Sequence, residues 1–207
     1  MYLYKLEKTI SNNYTMKDIH SLNGLMTNAD NIHHLLGKLF NISNEENWRT
    51  KYNILYKTDT ESTFKLIIQS DVQIDKKLVE QNGFKLLSEN EVTIKDNQKL
   101  TLRLTVSPFR KDGGQKTKRI IKTTEERIAW LKNKLTHNGE CITNEINELG
   151  QTMIYMEHPD KLKGATMLYG YRYEINLTVK DKEGFLKLVQ TGIGPQKNYG
   201  FGLLEVA

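Results

Sequence analysis

A chain of 207 residues with 38% hydrophobic and 27% charged side chains can build one larger domain or two small ones, and its composition is unlike that of a disordered segment. One cysteine, Cys141, excludes an internal disulfide and a cysteine-built zinc site, and no apolar run reaches the roughly 18 residues of a membrane-spanning helix. The formal net charge of +5 resides in SPFRKDGGQKTKRIIK, residues 107–122, where six cations face Asp112 and leave the rest of the chain neutral. The start, MYLYKLEKTI, is charged and alternating, unlike a secretory leader, so the expected location is the cytoplasm with no membrane association.

That same start reads as a strand, and ADNIHHLLGKLF, residues 29–40, as an amphipathic helix. KYNILYKT and TFKLIIQSDV are strands across a turn, DKKLVEQNG is a short helix and FKLL a fourth strand. After the polar stretch SENEVTIKDNQ, KLTLRLTVSP is a strand that leads through the basic segment into the helix TTEERIAWLKNKL. Thr123 and Glu126 fit a capping box at its start, and Asn138-Gly139 a stop at its end. Strands at QTMIYMEH and ATMLYGYRYEINLTV, the helix DKEGFLKLVQ and the closing GFGLLEVA complete a second β-α-β-β-α-β order. The expectation is an α+β protein of two tandem ferredoxin-like, RRM-like domains, residues 1–92 and 98–207, alike in pattern and not in sequence.

At about 100° per residue, Ile32, Leu35, Leu36, Leu39 and Phe40 form one apolar stripe on the first helix, His34 points away and His33 falls on the edge. Asp30 and Gly37 lie on the side of His33, so a carboxylate can raise its pKa while the glycine leaves open space for a ligand. The alternative is a boundary histidine that only packs. His20, His137 and His158 are scattered, no spacing suits a helix-borne zinc site, and no metal or cofactor is expected. Nothing in the sequence makes Cys141 a nucleophile.

The basic segment contains Gly113-Gly114 and reads as an exposed mobile loop, either a solvated charge run or a grip for phosphates. The terminal GIGPQKNYGFG is neither a P-loop nor a dinucleotide fingerprint, because the G-K-[ST] step and a following helix are both missing. It is a tight helix-to-strand connection, or a nest of glycine amides for an anion with Lys197 adding charge and Tyr199 a stacking face.

Four stretches together resemble the CasE endoribonucleases, which process CRISPR repeat RNA within the type I-E Cascade complex: IHHLLGKLF, LIIQSDVQID, LRLTVSPF with TTEERIAWLKNKL, and GIGPQKNYGFGLLEV. The resemblance implies two tandem ferredoxin-like domains and a metal-independent cut on the 3′ side of the repeat stem-loop. Attack of a ribose 2′-OH then leaves a 2′,3′-cyclic phosphate, and the enzyme stays with its crRNA among the other Cascade subunits. A phenylalanine seven residues after the family's catalytic histidine selects His33 with Phe40 here. The tyrosine common three residues before that histidine is Asp30, which can hold one imidazole tautomer and favour the charged form of a general acid. Tyr199 is a possible stand-in for the phenol, and His34 is the alternative if the helix register is offset. The family's asparagine-proline step is Ser107-Pro108, and Arg110 stands where lysine is common. The RNA contacts expected are Arg103, Arg110, Lys111, Lys116, Lys118, Arg119 and Lys122, with Gly192, Gly194 and Lys197 of the terminal loop stabilising the reacting phosphate. The departure at Asp30 keeps a second reading open, a non-catalytic subunit that binds the repeat hairpin.

Overall fold

The structure, a computed structural model, describes residues 1–8, 24–25, 29–59, 63–111, 118–157 and 165–206. The chain divides into two units, Met1–Val92 with Ile154–Leu168, and Thr93–Met153 with Tyr169–Ala207. His20, His158, Gly113-Gly114 and Lys116 lie outside the described residues. Among those described, no helix is long and apolar enough to cross a membrane.

The first unit follows β1 (Tyr2–Lys8), α1 (Ala29–Leu39), α2 (Trp48–Lys51), β2 (Leu55–Asp59), β3 (Lys65–Ser70), α3 (Lys76–Gln81) and β4 (Phe84–Glu91). Its sheet has the order β2-β3-β1-β4, the ferredoxin-like arrangement in which the first and last strands meet at the centre and edge. Both partners of β1 are antiparallel, with Tyr2 opposite Ser70 on one side and Glu91 on the other, and an irregularity between Lys5 and Leu6 on the β4 side. The core gathers Tyr4 and Leu6 of β1, Ile32, Leu35, Leu36 and Leu39 of α1, and Leu66 and Ile68 of β3. Asp75 caps α3 by accepting from Lys77 N at 2.9 Å and Leu78 N at 3.2 Å, which satisfies amides that the helix itself cannot pair.

The second unit runs β5 (Lys99–Val106), β6 (Phe109–Lys111), β7 (Lys118–Ile120), α4 (Thr124–Thr136), β8 (Cys141–Glu157), β9 (Ala165–Val179), α5 (Lys182–Thr191), a 3-10 turn (Lys197–Tyr199) and β10 (Leu204–Val206). The sheet order β10-β5-β9-β8 repeats the ferredoxin-like arrangement, with β6 and β7 forming a separate hairpin between the first strand and its helix. Leu102, Leu104, Leu131, Ile175, Phe185 and Phe201 are among its buried side chains.

Three local readings change. The capping box is half formed: Thr123 accepts from Glu126 N at 3.3 Å, whereas the Glu126 carboxylate turns to Arg110. β4 continues through Ser88–Glu91, where the sequence reads as a polar connector, because those residues pair with β1. β8 begins at Cys141, ten residues before the apolar QTMIYMEH, since its polar half is tied sideways to β9 by side chains: Asn144 Nδ2 donates to Thr178 Oγ1 at 3.2 Å, and Asn176 Nδ2 to Glu145 Oε2 at 3.0 Å.

One charged network ties α4 to the sheet. Arg127, 6% exposed in its side chain, donates from Nε to Glu148 Oε2 at 2.8 Å and also to the Lys122 carbonyl, and its guanidinium lies 3.8 Å from the centre of the Tyr171 ring. Tyr173 Oη donates to the same carboxylate at 2.8 Å, and Arg127 holds Glu148 below the usual carboxylate range. Glu148→Gln leaves a buried guanidinium without its counter-charge, so urea unfolding should show a loss of about 3 kcal/mol. A variant as stable as the parent would show that the network contributes nothing net.

Candidate active site and nucleic-acid surface

The apolar stripe of α1 is buried as its spacing requires: Leu36 and Leu39 are fully covered, and Ile32, Leu35 and Phe40 nearly so. His34 is exposed and His33 half-buried at the margin. The His33 ring stacks on Trp48 at 4.6 Å between centroids with 26° between planes, and Trp48 is itself 5% exposed. Asn47 takes a left-handed conformation, φ 52°, that starts the short helix α2 and turns Trp48 inward.

Two expectations about this histidine are corrected. Gly37 does not leave open space, because a Cβ there would stand 3.2 Å from Ser43 Cα and 3.5 Å from Trp48 Cζ2. The pKa of His33 is lowered from 6.5, first by burial, then by Arg49 and His34, and the opposing pull of Asp30 is the weakest of the four influences. Asp30 sits exposed in the first turn of α1, where a negative charge also favours the helix terminus. The imidazole is therefore neutral at pH 7, with a lone pair available to take a proton.

Trp48 and Arg49 are the residues that sequence reasoning missed. A four-residue helix carries no periodicity, so WRTK gives no signal of its own beyond its tryptophan. The Arg49 guanidinium lies 5.2 Å from the centre of the Tyr56 ring, and burial lowers its pKa from the usual arginine value. It is a fixed positive charge near enough to His33 to oppose its protonation.

In the second unit the basic segment forms the β6-β7 hairpin where a loop was expected, and residues 112–117 lie outside the described residues. Its register sets Arg110 opposite Arg119 and Lys111 opposite Lys118. Like charges placed directly across a strand pair are unfavourable, and a polyanion removes that cost. Nothing is described of the Lys111 and Lys118 side chains; Arg119 and Lys122 are exposed. Arg110 meets Glu126 at 3.1 Å and Arg103, on β5, meets Glu174 at 3.6 Å, both in exposed pairs that water screens. Ser107, in the altered step before Pro108, is buried and donates to the Tyr169 carbonyl at 2.5 Å, fixing the exit of β5.

Several amides of the terminal loop are already engaged within the protein. Gly192 N donates to Leu188 O at 2.9 Å and closes α5, Ile193 N donates to Gly202 O at 2.9 Å, and Gly202 N donates to Thr105 O at 2.8 Å. These three amides close α5, tie the loop to itself and seat it against β5, so they are not open to an anion. Gly194, φ +78°, passes so close that a Cβ would stand 2.8 Å from Val106 Cγ2 and 3.2 Å from Trp130 Cη2. Lys197 Nζ donates to Thr191 O at 2.6 Å, a cap on the last turn of α5, and burial lowers its pKa. Tyr199 is 39% exposed.

A cleft of about 510 Å³ brings several of these residues together: Arg110, Gly192, Gly194 and Lys197 line it with Trp130 and Lys134 of α4. Trp130 and Lys134 were legible only as part of the helix, with no signal to separate them from its other surface residues.

A family model described as "CRISPR associated protein" matches residues 1–207. The CRISPR-associated endoribonuclease Cse3 of Thermus thermophilus is 29% identical over 122 residues, 55% of this chain and 58% of that one. The CRISPR system Cascade subunit CasE of Escherichia coli is 31% identical over 128 residues, 60% of this chain and 56% of that one. Each alignment thus spans little more than half of the relative's length. A solved structure of CRISPR endoribonuclease Cse3 bound to 19-nucleotide RNA superposes with a TM-score of 0.80 at 22% identity, covering 100% of both chains, a likeness of fold.

Proposed function

The chain belongs to the CRISPR-associated protein family, and from that premise we propose that it is a metal-independent endoribonuclease that cuts CRISPR repeat RNA on the 3′ side of its stem-loop. It remains with the mature crRNA as a subunit of a Cascade-type complex in the cytoplasm. The names of its relatives, an endoribonuclease and a Cascade subunit, support the activity and the assembly. The observation that carries the reading is His33, an imidazole with one face against Trp48, kept neutral by burial and Arg49, on a helix locked in place by its apolar stripe.

The chemistry follows from that protonation state. Neutral His33 accepts the proton of the ribose 2′-OH, the 2′-oxygen forms a bond to phosphorus, and the bond from phosphorus to the 5′-oxygen breaks. The products are a 2′,3′-cyclic phosphate and a 5′-hydroxyl, the leaving oxygen taking its proton from solvent. Asp30 then serves the imidazolium that forms on His33, a modest influence in keeping with its exposed place. Arg49 supplies the fixed positive charge for the pentacoordinate phosphate, a task for which the engaged ammonium of Lys197 is less suited. The β6-β7 hairpin, which carries Arg110, Lys111, Lys118 and Arg119, grips stem phosphates of an A-form duplex by shape and charge together with Arg103 and Lys122.

His33→Ala should slow single-turnover cleavage of the repeat by roughly 100-fold or more while leaving repeat affinity near that of the parent. Full cleavage by the variant would remove His33 from the mechanism. For the parent, the rate should rise with pH and level off with an apparent pKa below 6.5, since the base works only when deprotonated. A rate that falls as pH rises through this window would mean that His33 works in its charged form.

A further inference from the structure

We propose that the cleft in the second unit is a subsite for one unpaired nucleotide of the bound RNA, with the base against Trp130 and the phosphates held by Arg110 and Lys134. This rests on the reading above that the chain binds RNA. At about 510 Å³ the cleft lies in the range of small-molecule sites, room for a nucleotide and too little for a base pair within a duplex. Phe109, Trp130, Leu188 and Ile193 give it apolar walls, and no acidic side chain lines it among the described residues. Arg110, Lys134 and Lys197 supply its charge; Arg110 and Lys134 are exposed, and Lys197 Nζ donates to Thr191 O.

Gly194 is what keeps the aromatic face reachable. Any side chain there would stand against the tip of the indole, and the loop is held in that position by the Ile193 and Gly202 bonds. An aromatic face beside cations, with Gly192 and Gly194 next to it, suits a splayed base with its backbone and discriminates little among bases. The cation pairs of the adjacent hairpin can carry duplex phosphates while this cleft takes the strand where pairing ends.

The chain has two tryptophans, Trp48 and Trp130. Titration of the full chain with pentauridylate should quench emission, and Trp130→Phe should lose most of that quenching, leaving only the response of Trp48 beside His33. Quenching of undiminished amplitude in Trp130→Phe overturns the assignment. Lys134→Glu, a surface change outside the packed core, should weaken pentauridylate roughly tenfold, comparable with loss of one stacking contact; unchanged affinity overturns it as well. Uridine 5′-monophosphate should bind far more weakly than the pentamer, and equal potency would mark a free-nucleotide pocket instead of an RNA subsite. Cleavage of repeat RNA by the parent separates the two failures. If the parent binds and cuts the repeat while both variants bind pentauridylate as it does, the subsite falls alone; if the parent neither binds nor cuts the repeat, the functional reading and the subsite fall together.

Discussion

The apolar side chains that α1 drives into the first unit's core, with Leu36 and Leu39 fully buried, decide where the histidines go. Each buried side chain of this size contributes about 1.5–3 kcal/mol, so the helix cannot rotate about its axis to expose a different edge. With the stripe anchored, His34 faces solvent and His33 is left at the boundary, where Trp48 meets its ring. Burial at that boundary, reinforced by Arg49, sets the protonation state, and the protonation state sets the chemistry open to the site.

The second unit solves a different problem, how to hold many cations without losing the fold. Arg127 is neutralised inside by Glu148, whose carboxylate also accepts from Tyr173, and lies over the Tyr171 ring, so it belongs to the scaffold. The β6-β7 register sets Arg110 opposite Arg119 and Lys111 opposite Lys118, and Arg110 and Arg119 are exposed. That is the distribution expected where a polyanion completes the electrostatics. In the terminal loop the amides of Gly192, Ile193 and Gly202 are bound to α5, to the loop itself and to β5, and Gly194 passes close beside Trp130.

Much of the fold is legible in the sequence because its elements carry period. Eleven residues of α1 with a continuous stripe, the alternation of β5 and the capping Thr123 leave few readings. The polar half of β8 does not announce itself, since its stability comes from Asn144 and Glu145 reaching side chains of β9, a partner that only the fold brings near. The candidate site was legible in its central residue and not in its surroundings. Spacing along a helix places Asp30 beside His33, but it gives no account of burial or of a cation arriving from a separate four-residue helix, and those two outweigh the carboxylate. The glycines of the terminal loop likewise announce an unusual backbone, while the destination of each amide depends on Thr105 and on the end of α5.

The chemistry assigned to His33 needs the RNA's own 2′-hydroxyl as nucleophile and no metal ion, and the ends of the cut RNA report on both. Incubating the chain with CRISPR repeat RNA in excess EDTA, followed by analysis of the upstream fragment's terminus, should give cleavage with a 2′,3′-cyclic phosphate. Intact RNA in EDTA that is cut once a divalent cation is restored, or an upstream fragment ending in a free 3′-hydroxyl, would contradict the account.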